Sequence, residues 1–221
     1  MSEWHLGEIA SCQATIAEAI SLAKELKDMN ALAMALAWAA AFGQCECDPA
    51  EVDRLASDLI ELSTRHNFVY WLAVGTIHRG WARSVSGNTA EGIPWIERGI
   101  RDIRGSGTTL VVPFWLALNA EALYLADRIP EALEAIGEAE KVVERSEERR
   151  WSAELHRLRG VFLAAIAADE TQIEASFGEA IRISKEKKSV SLGKRAEATY
   201  AEYRRQKASA SEGHGFRLPP C

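Results

Sequence analysis

Apolar residues recur three and four positions apart in long runs, and short polar clusters separate one run from the next. That spacing puts the apolar positions on one face of an α-helix. It predicts helices over about 6–27, 30–44, 49–66, 69–86, 89–105, 111–127, 130–147, 149–168, 170–187 and 190–207. The breaks carry helix-start chemistry. Asp48-Pro49-Ala50-Glu51 offers a capping aspartate, a proline at the first helical position and a glutamate at the third. Asn88 stands three residues before Glu91, placed to complete a capping box, and Asp169-Glu170-Thr171-Gln172 repeats the pattern. Pro130 suits a first turn, although Ile129 before it caps poorly. The β-branched cluster from Thr108 to Val112 ends at Pro113 and reads as a loop entering a helix.

The helices repeat. Cys12, Val52, Gly92, Ala132 and Ile173 lie 40, 40, 40 and 41 residues apart. Four positions on come Ile16, Ala56, Ile96, Ile136 and Phe177, and seven on come Ala19, Leu59, Gly99, Ala139 and Ala180. The alternate helices have their own series in Ala40, Gly80, Ala120 and Gly160. Small residues at fixed points on both helices let two antiparallel helices approach closely while bulkier neighbours fill the grooves. Each pair completes its core against the next, so the pattern predicts an all-α solenoid of stacked helix pairs with a repeat of about 40 residues. One repeat domain is expected over 1–207, with an irregular tail over 208–221.

The phase resembles the tetratricopeptide repeat. Gly80, Gly87, Gly92 and Gly99 stand where that family places small residues, as do Ala120, Ala132 and Ala139. Pro130-Glu131-Ala132-Leu133 is similar to the opening of its second helix. The resemblance implies a right-handed superhelix, with helices or turns longer than in the usual unit of about 34 residues. Ala35 to Phe42, Tyr70-Trp71-Leu72-Ala73 with Arg79-Gly80-Trp81-Ala82, and Trp151 to Gly160 carry a narrower likeness. They resemble the C-terminal repeat region of large bacterial regulators that join an adenylate/guanylate cyclase domain and an ATPase domain to helical repeats. That likeness covers most of 28–207 and implies a non-catalytic sensing or docking module. Nothing here is similar to the cyclase or ATPase parts.

In a tetratricopeptide solenoid the first helix of each pair lines the groove. Carrying the phase over implies a partner-binding surface of Val74, Ile77 and Trp81, then Phe114, Ala117, Glu121 and Tyr124, then Glu154 and Arg157, with Val161 beside them. Aromatics beside an arginine and carboxylates are the composition that binding hot spots favour. Trp71, Trp115 and Trp151, at the starts of first helices, are expected to close seams between repeats.

Other chemistry adds little. The five histidines have no metal-ligand spacing, no GxSxG elbow is present, and Gly105-Ser106-Gly107-Thr108-Thr109 lacks the lysine of a phosphate loop. Cys45-Glu46-Cys47 is too short for a mutual disulfide and lacks a second ligand pair, so no cofactor, metal or catalytic residue is expected. The net charge of -6 argues against nucleic acid as a partner. The basic run from Lys194 to Lys207 is interleaved with Glu197 and Glu202 and reads as a solvated helix face. No apolar stretch is long enough for a membrane span, and the first residues lack a signal-peptide pattern, which points to the cytoplasm. The expected partner is a protein or peptide segment, with a homodimer as a further arrangement. The alternative is a small-molecule-sensing regulatory domain of a cyclase/ATPase-type signalling protein.

Overall fold

The computed structural model describes residues 1–108, 111–146, 148–209 and 216–217. All regular structure among them is helical: α1 (Ser2–Leu6), α2 (Ile9–Glu25), α3 (Met29–Cys45), α4 (Pro49–His66), α5 (Val69–Val85), α6 (Thr89–Gly105), α7 (Val112–Leu125), α8 (Ile129–Ser146), α9 (Ser152–Ala165), α10 (Glu170–Glu186) and α11 (Val190–Ser209). The single helix expected over 6–27 is broken at Gly7, whose φ of 83° is closed to most L side chains. The chain divides into two compact units. The first contains α2 to α6 and Met1–Trp4; the second contains α7 to α11 and His5–Gly7.

In the first unit α3 packs on α4 and α5 on α6, while α4 also meets α5 and α3 meets α5. Trp4 is buried there, with its indole N–H bonded to Glu46 at 2.7 Å. In the second unit α7 packs on α8 and α9 on α10, and α9 also meets α7 and α11. Phe216 buries its ring edge-on against Tyr203 of α11. The rest of the expected tail, 210–215 and 218–221, lies outside the described residues.

The repeated small and apolar positions form the core of these pairs. Val52, Ala56, Leu59, Ile96, Ala132, Ile136, Ala139, Phe177 and Ala180 are all closed to solvent. Ala19 departs from its series and is exposed, since α2 has α3 as its chief neighbour. The closest approach joins Gly80 of α5 to Gly92 of α6. A Cβ on Gly80 would stand 2.6 Å from the Gly92 carbonyl oxygen and 2.8 Å from Ile96 Cγ1. Two helix backbones can come this near only where neither carries a side chain. In the second unit the ring of Phe177 lies over Gly160, where a Cβ would be 2.8 Å from it.

The turns follow a rule that residue types conceal. Left-handed backbone recurs at Lys27, Cys47, Asn67, Gly87, Gly107, Asp127 and Ala167, every twentieth residue apart from 147, which is not described, and then at Lys188. At most of these the next residue's N–H reaches back five positions. Asp28 bonds Ala23, Asp48 bonds Gly43, Asn88 bonds Arg83 and Arg128 bonds Leu123, all at 2.9–3.0 Å. These are Schellman closures, which satisfy the last carbonyls of a helix. The residue making the closure then caps the next helix: Asp28, Asp48 and Asn88 each accept a first-turn N–H through the side chain. This corrects the expected capping box. The Asn88 N–H is committed to Arg83, so Glu91 takes the Asn88 side-chain amide instead, at 2.7 Å. Helices of about 17 residues joined by such turns make the 40-residue repeat.

Candidate functional site

In the first unit α5 is enclosed by α3, α4 and α6, and Val74, Ile77 and Trp81 are at most 2% exposed. In the second, Phe114 and Ala117 of α7 are also buried, at 4% and 3% exposed. Phe114 stacks on Trp151 with ring centroids 4.5 Å apart, so this aromatic pair joins α7 to the start of α9. These five side chains serve as interior packing and offer no area to a partner in this conformation. The phase gives each side chain a direction, but packing on neighbouring helices closes it, as where Ile77 lies against Gly99 of α6.

Glu121 and Tyr124, further along α7, remain half-buried, and Tyr124 stacks on Phe162 of α9 at 5.2 Å. Glu154 and Arg157 are the charged members of the set, and both are buried. Arg157 donates to both carboxylate oxygens of Glu154, at 2.9 and 2.7 Å, in the planar fork that makes such pairs strong. Arg195 of α11 donates to the same carboxylate at 3.1 Å, and Arg157 reaches Thr199 Oγ1 at 3.3 Å. Burial pushes the Glu154 carboxyl upward. The charges and hydrogen bonds of Arg157 and Arg195 outweigh that and hold it down at about 2. The cluster is therefore ionised, buried and internally satisfied, and it fixes α9 against α11.

Arg195 and Thr199 escaped the sequence reasoning, which placed the whole basic run on a solvated face. Arg195 turns inward, with 21% of its side chain exposed. A signal was present: Glu154 and Arg195 are 41 residues apart, the last repeat step, so they share a register on successive first helices. Among the described residues no group of three or more His, Cys, Asp or Glu side chains could hold a metal ion. No described helix is long and apolar enough to cross a membrane.

Comparisons with known proteins agree with the repeat architecture. Residues 1–46 match the family described as anaphase-promoting complex subunit 5. An uncharacterized protein of Rhizobium meliloti (strain 1021) is 23% identical over 202 residues, and the match covers 91% of this chain but only 20% of that protein. The chain thus spans about a fifth of this relative's length. Among solved structures, PlcR of Bacillus thuringiensis, in complex with the peptide PapR7 and DNA, aligns with a TM-score of 0.69 and 14% identity, covering 96% of this chain and 71% of its own. The apo form of RapI aligns with a TM-score of 0.62 and 12% identity, over 90% of this chain and 79% of its own. Aspartyl phosphate phosphatase F of Bacillus subtilis gives 0.55 and 11%, over 97% and 63%. At these identities the likeness is one of fold, and the fold is all-helical and tetratricopeptide-like.

Proposed function

We propose that the chain is a non-catalytic, regulatory protein-interaction module that binds a peptide or protein segment along the first helices of its second unit. The observation that carries this reading is the partly open polar and aromatic surface that Glu121 and Tyr124 give to α7. The buried cluster of Glu154, Arg157 and Arg195 offers no contact of its own and holds the neighbouring first helices α9 and α11 together. Phe114 and Ala117 act on that surface only from behind, by fixing α7, while Val74, Ile77 and Trp81 pack the interior of the first unit. The similarity in fold to PlcR, solved with a peptide bound, supports a segment as the partner. The test is an array of short peptides probed with wild type and with a Tyr124→Ala/Glu121→Lys variant of unchanged circular dichroism. Peptides retained by the wild type and lost by the variant support the reading. Retention equal in both, or none in either, overturns it.

The second reading is a small-molecule-sensing regulatory domain within a larger signalling protein. It is favoured by the relative that runs to about five times the length of this chain. A metabolite that raises the melting temperature of the chain would support it. A second copy is a further proposed partner, since α2 and α3 leave Leu22, Leu26, Met34 and Trp38 between 36 and 68% exposed. Light scattering tests that directly.

A further inference from the structure

The second unit has another concavity, unrelated to the surface just described. A recess of about 430 Å³ opens between α8 and α10 with α9 as its floor. Its origin is legible in the repeat register. In the first unit, Arg79 of α5 lies 5.1 Å over the ring of Trp95 of α6 and bonds Asp53 of α4, so an aromatic fills the corresponding space. One repeat pair later Arg159 replaces Arg79, but the register of Trp95 falls on Ser176, beside Ala175. Small residues where a tryptophan stood leave the recess open.

Its chemistry is one-sided. Glu140, Glu144 and Glu179 bring three carboxylates against one guanidinium, Arg159. Arg159 bonds Glu140 Oε2, and Glu179 is held by Arg182 at 2.7 Å. Burial lowers the His156 imidazole from its ordinary range, Arg159 and Arg182 add to that, and Glu140 and Glu179 oppose it, so the ring stays neutral at pH 7. Two acceptors in the lining are left over. Glu140 Oε1 is buried and has no hydrogen-bond partner; the nearest side chain paired with it, His156 Nδ1, is 4.0 Å away. Ser152 is 9% exposed and its hydroxyl is likewise buried and unpartnered. A buried hydroxyl and carboxylate oxygen without partners cost free energy unless a donor satisfies them. Val143, Leu155 and Ala175 supply apolar wall beside them.

We infer that this recess is a binding site for an alkylammonium group, whose N–H donors would meet Glu140 Oε1 and Ser152 Oγ while its aliphatic stem lies against Val143, Leu155 and Ala175. The group could come from a free amine or from a lysine side chain of a bound segment. An amphipathic cation of this kind fits an apolar wall that ends in carboxylates. The inference goes beyond the proposed function and stands on different residues, so either can fail alone.

The test is calorimetric titration of the full chain, at fixed ionic strength, with three probes: cadaverine, the blocked tripeptide acetyl-Gly-Lys-Gly-amide, and its norleucine counterpart. Saturable binding of cadaverine assigns the site to free amines. Binding of the lysine tripeptide alone assigns it to a lysine side chain. In either case Glu140→Gln with Glu144→Gln should weaken binding at least about tenfold. Ala175→Trp, which fills the recess from an exposed position and keeps every carboxylate, should abolish it. Absence of binding by both amines, equal binding of the norleucine peptide, or retention by the folded variants would overturn the inference.

Discussion

Replacing Gly80 by alanine asks whether the contact between α5 and α6 is as close as the backbone indicates. An alanine in a helix interior is favoured over glycine by about 1 kcal/mol when nothing stands in its way. At Gly80 the new methyl would lie 2.6 Å from the Gly92 carbonyl oxygen, 2.8 Å from Ile96 Cγ1 and 3.0 Å from the Ile96 nitrogen. Two of these obstacles are backbone atoms, so no rotamer change relieves them. Restoring ordinary contact at 3.4 Å means opening the pair by about 0.8 Å. A gap of that size forfeits roughly a quarter to a half of the dispersion attraction of each contact along the seam. Overpacking of this kind costs about 1–3 kcal/mol, and rigid obstacles put Gly80 at the upper end. The net expectation is a loss of about 2 kcal/mol after the helix-forming gain. Gly105, at the end of α6 in the same unit, supplies the control because a Cβ there meets nothing within 4 Å. Urea titrations followed by far-ultraviolet circular dichroism should show Gly80→Ala unfolding well below wild type and Gly105→Ala at or slightly above it. Equal midpoints for the two variants would refute the close-approach argument.

Ala167 holds a left-handed backbone with φ of 49°, which costs an alanine roughly 1 kcal/mol or more and a glycine almost nothing. Ala167→Gly should therefore raise stability by about 1 kcal/mol, read as a higher urea midpoint, although glycine normally weakens a helical protein. Glu154 gives a pH-dependent test. Its folded carboxyl sits at about 2 against an ordinary 4.5, so its contribution is complete above pH 4.5 and is lost as the pH falls toward 2. Glu154→Gln should cost roughly 3 kcal/mol at pH 7, and the gap from wild type should close steadily in titrations between pH 4.5 and 2.5. A gap that stays constant across that window would show that Arg157 and Arg195 do not depend on the carboxylate charge.

The repeat was legible because helix crossings demand small residues at fixed places, and Gly80, Gly92, Ala120, Ala132 and Gly160 stand in those places. The turns were less legible. Lys27, Cys47, Asp127 and Ala167 occupy left-handed positions where glycine or asparagine would have announced them. Helix boundaries therefore came from periodicity and not from stop signals, and the break at Gly7 was missed because the apolar pattern runs across it. For the candidate surface, phase assigns side chains to a face but carries no information on exposure. Trp81 and Phe114 are expected in a groove, yet they are buried among neighbouring helices. Glu154 and Arg157 were singled out, whereas Arg195 was hidden inside a basic run whose other members mostly face solvent. The amine recess could be found only by asking which residue stands in the register of Trp95, a comparison that periodicity permits but does not suggest.

The twenty-residue spacing of the turns limits how this sequence can change. The one irregular step in the repeat, 41 residues between Ala132 and Ile173, has a definite location. After Lys27, Cys47, Asn67 and Gly87 the next residue is the N-cap of the following helix, but after Ala167 an additional residue, Ala168, precedes the cap Asp169. The extra residue was absorbed in the turn, where it lengthens a connection and disturbs nothing else. Inside a helix it would rotate every later side chain by about 100° and turn the whole seam away from its neighbour. Residue identity at the turns varies among lysine, cysteine, aspartate and alanine, while their twenty-residue spacing is kept at most of them. The chain is a ruler with unmarked divisions: substitutions leave its graduations in place, and length changes survive only between them.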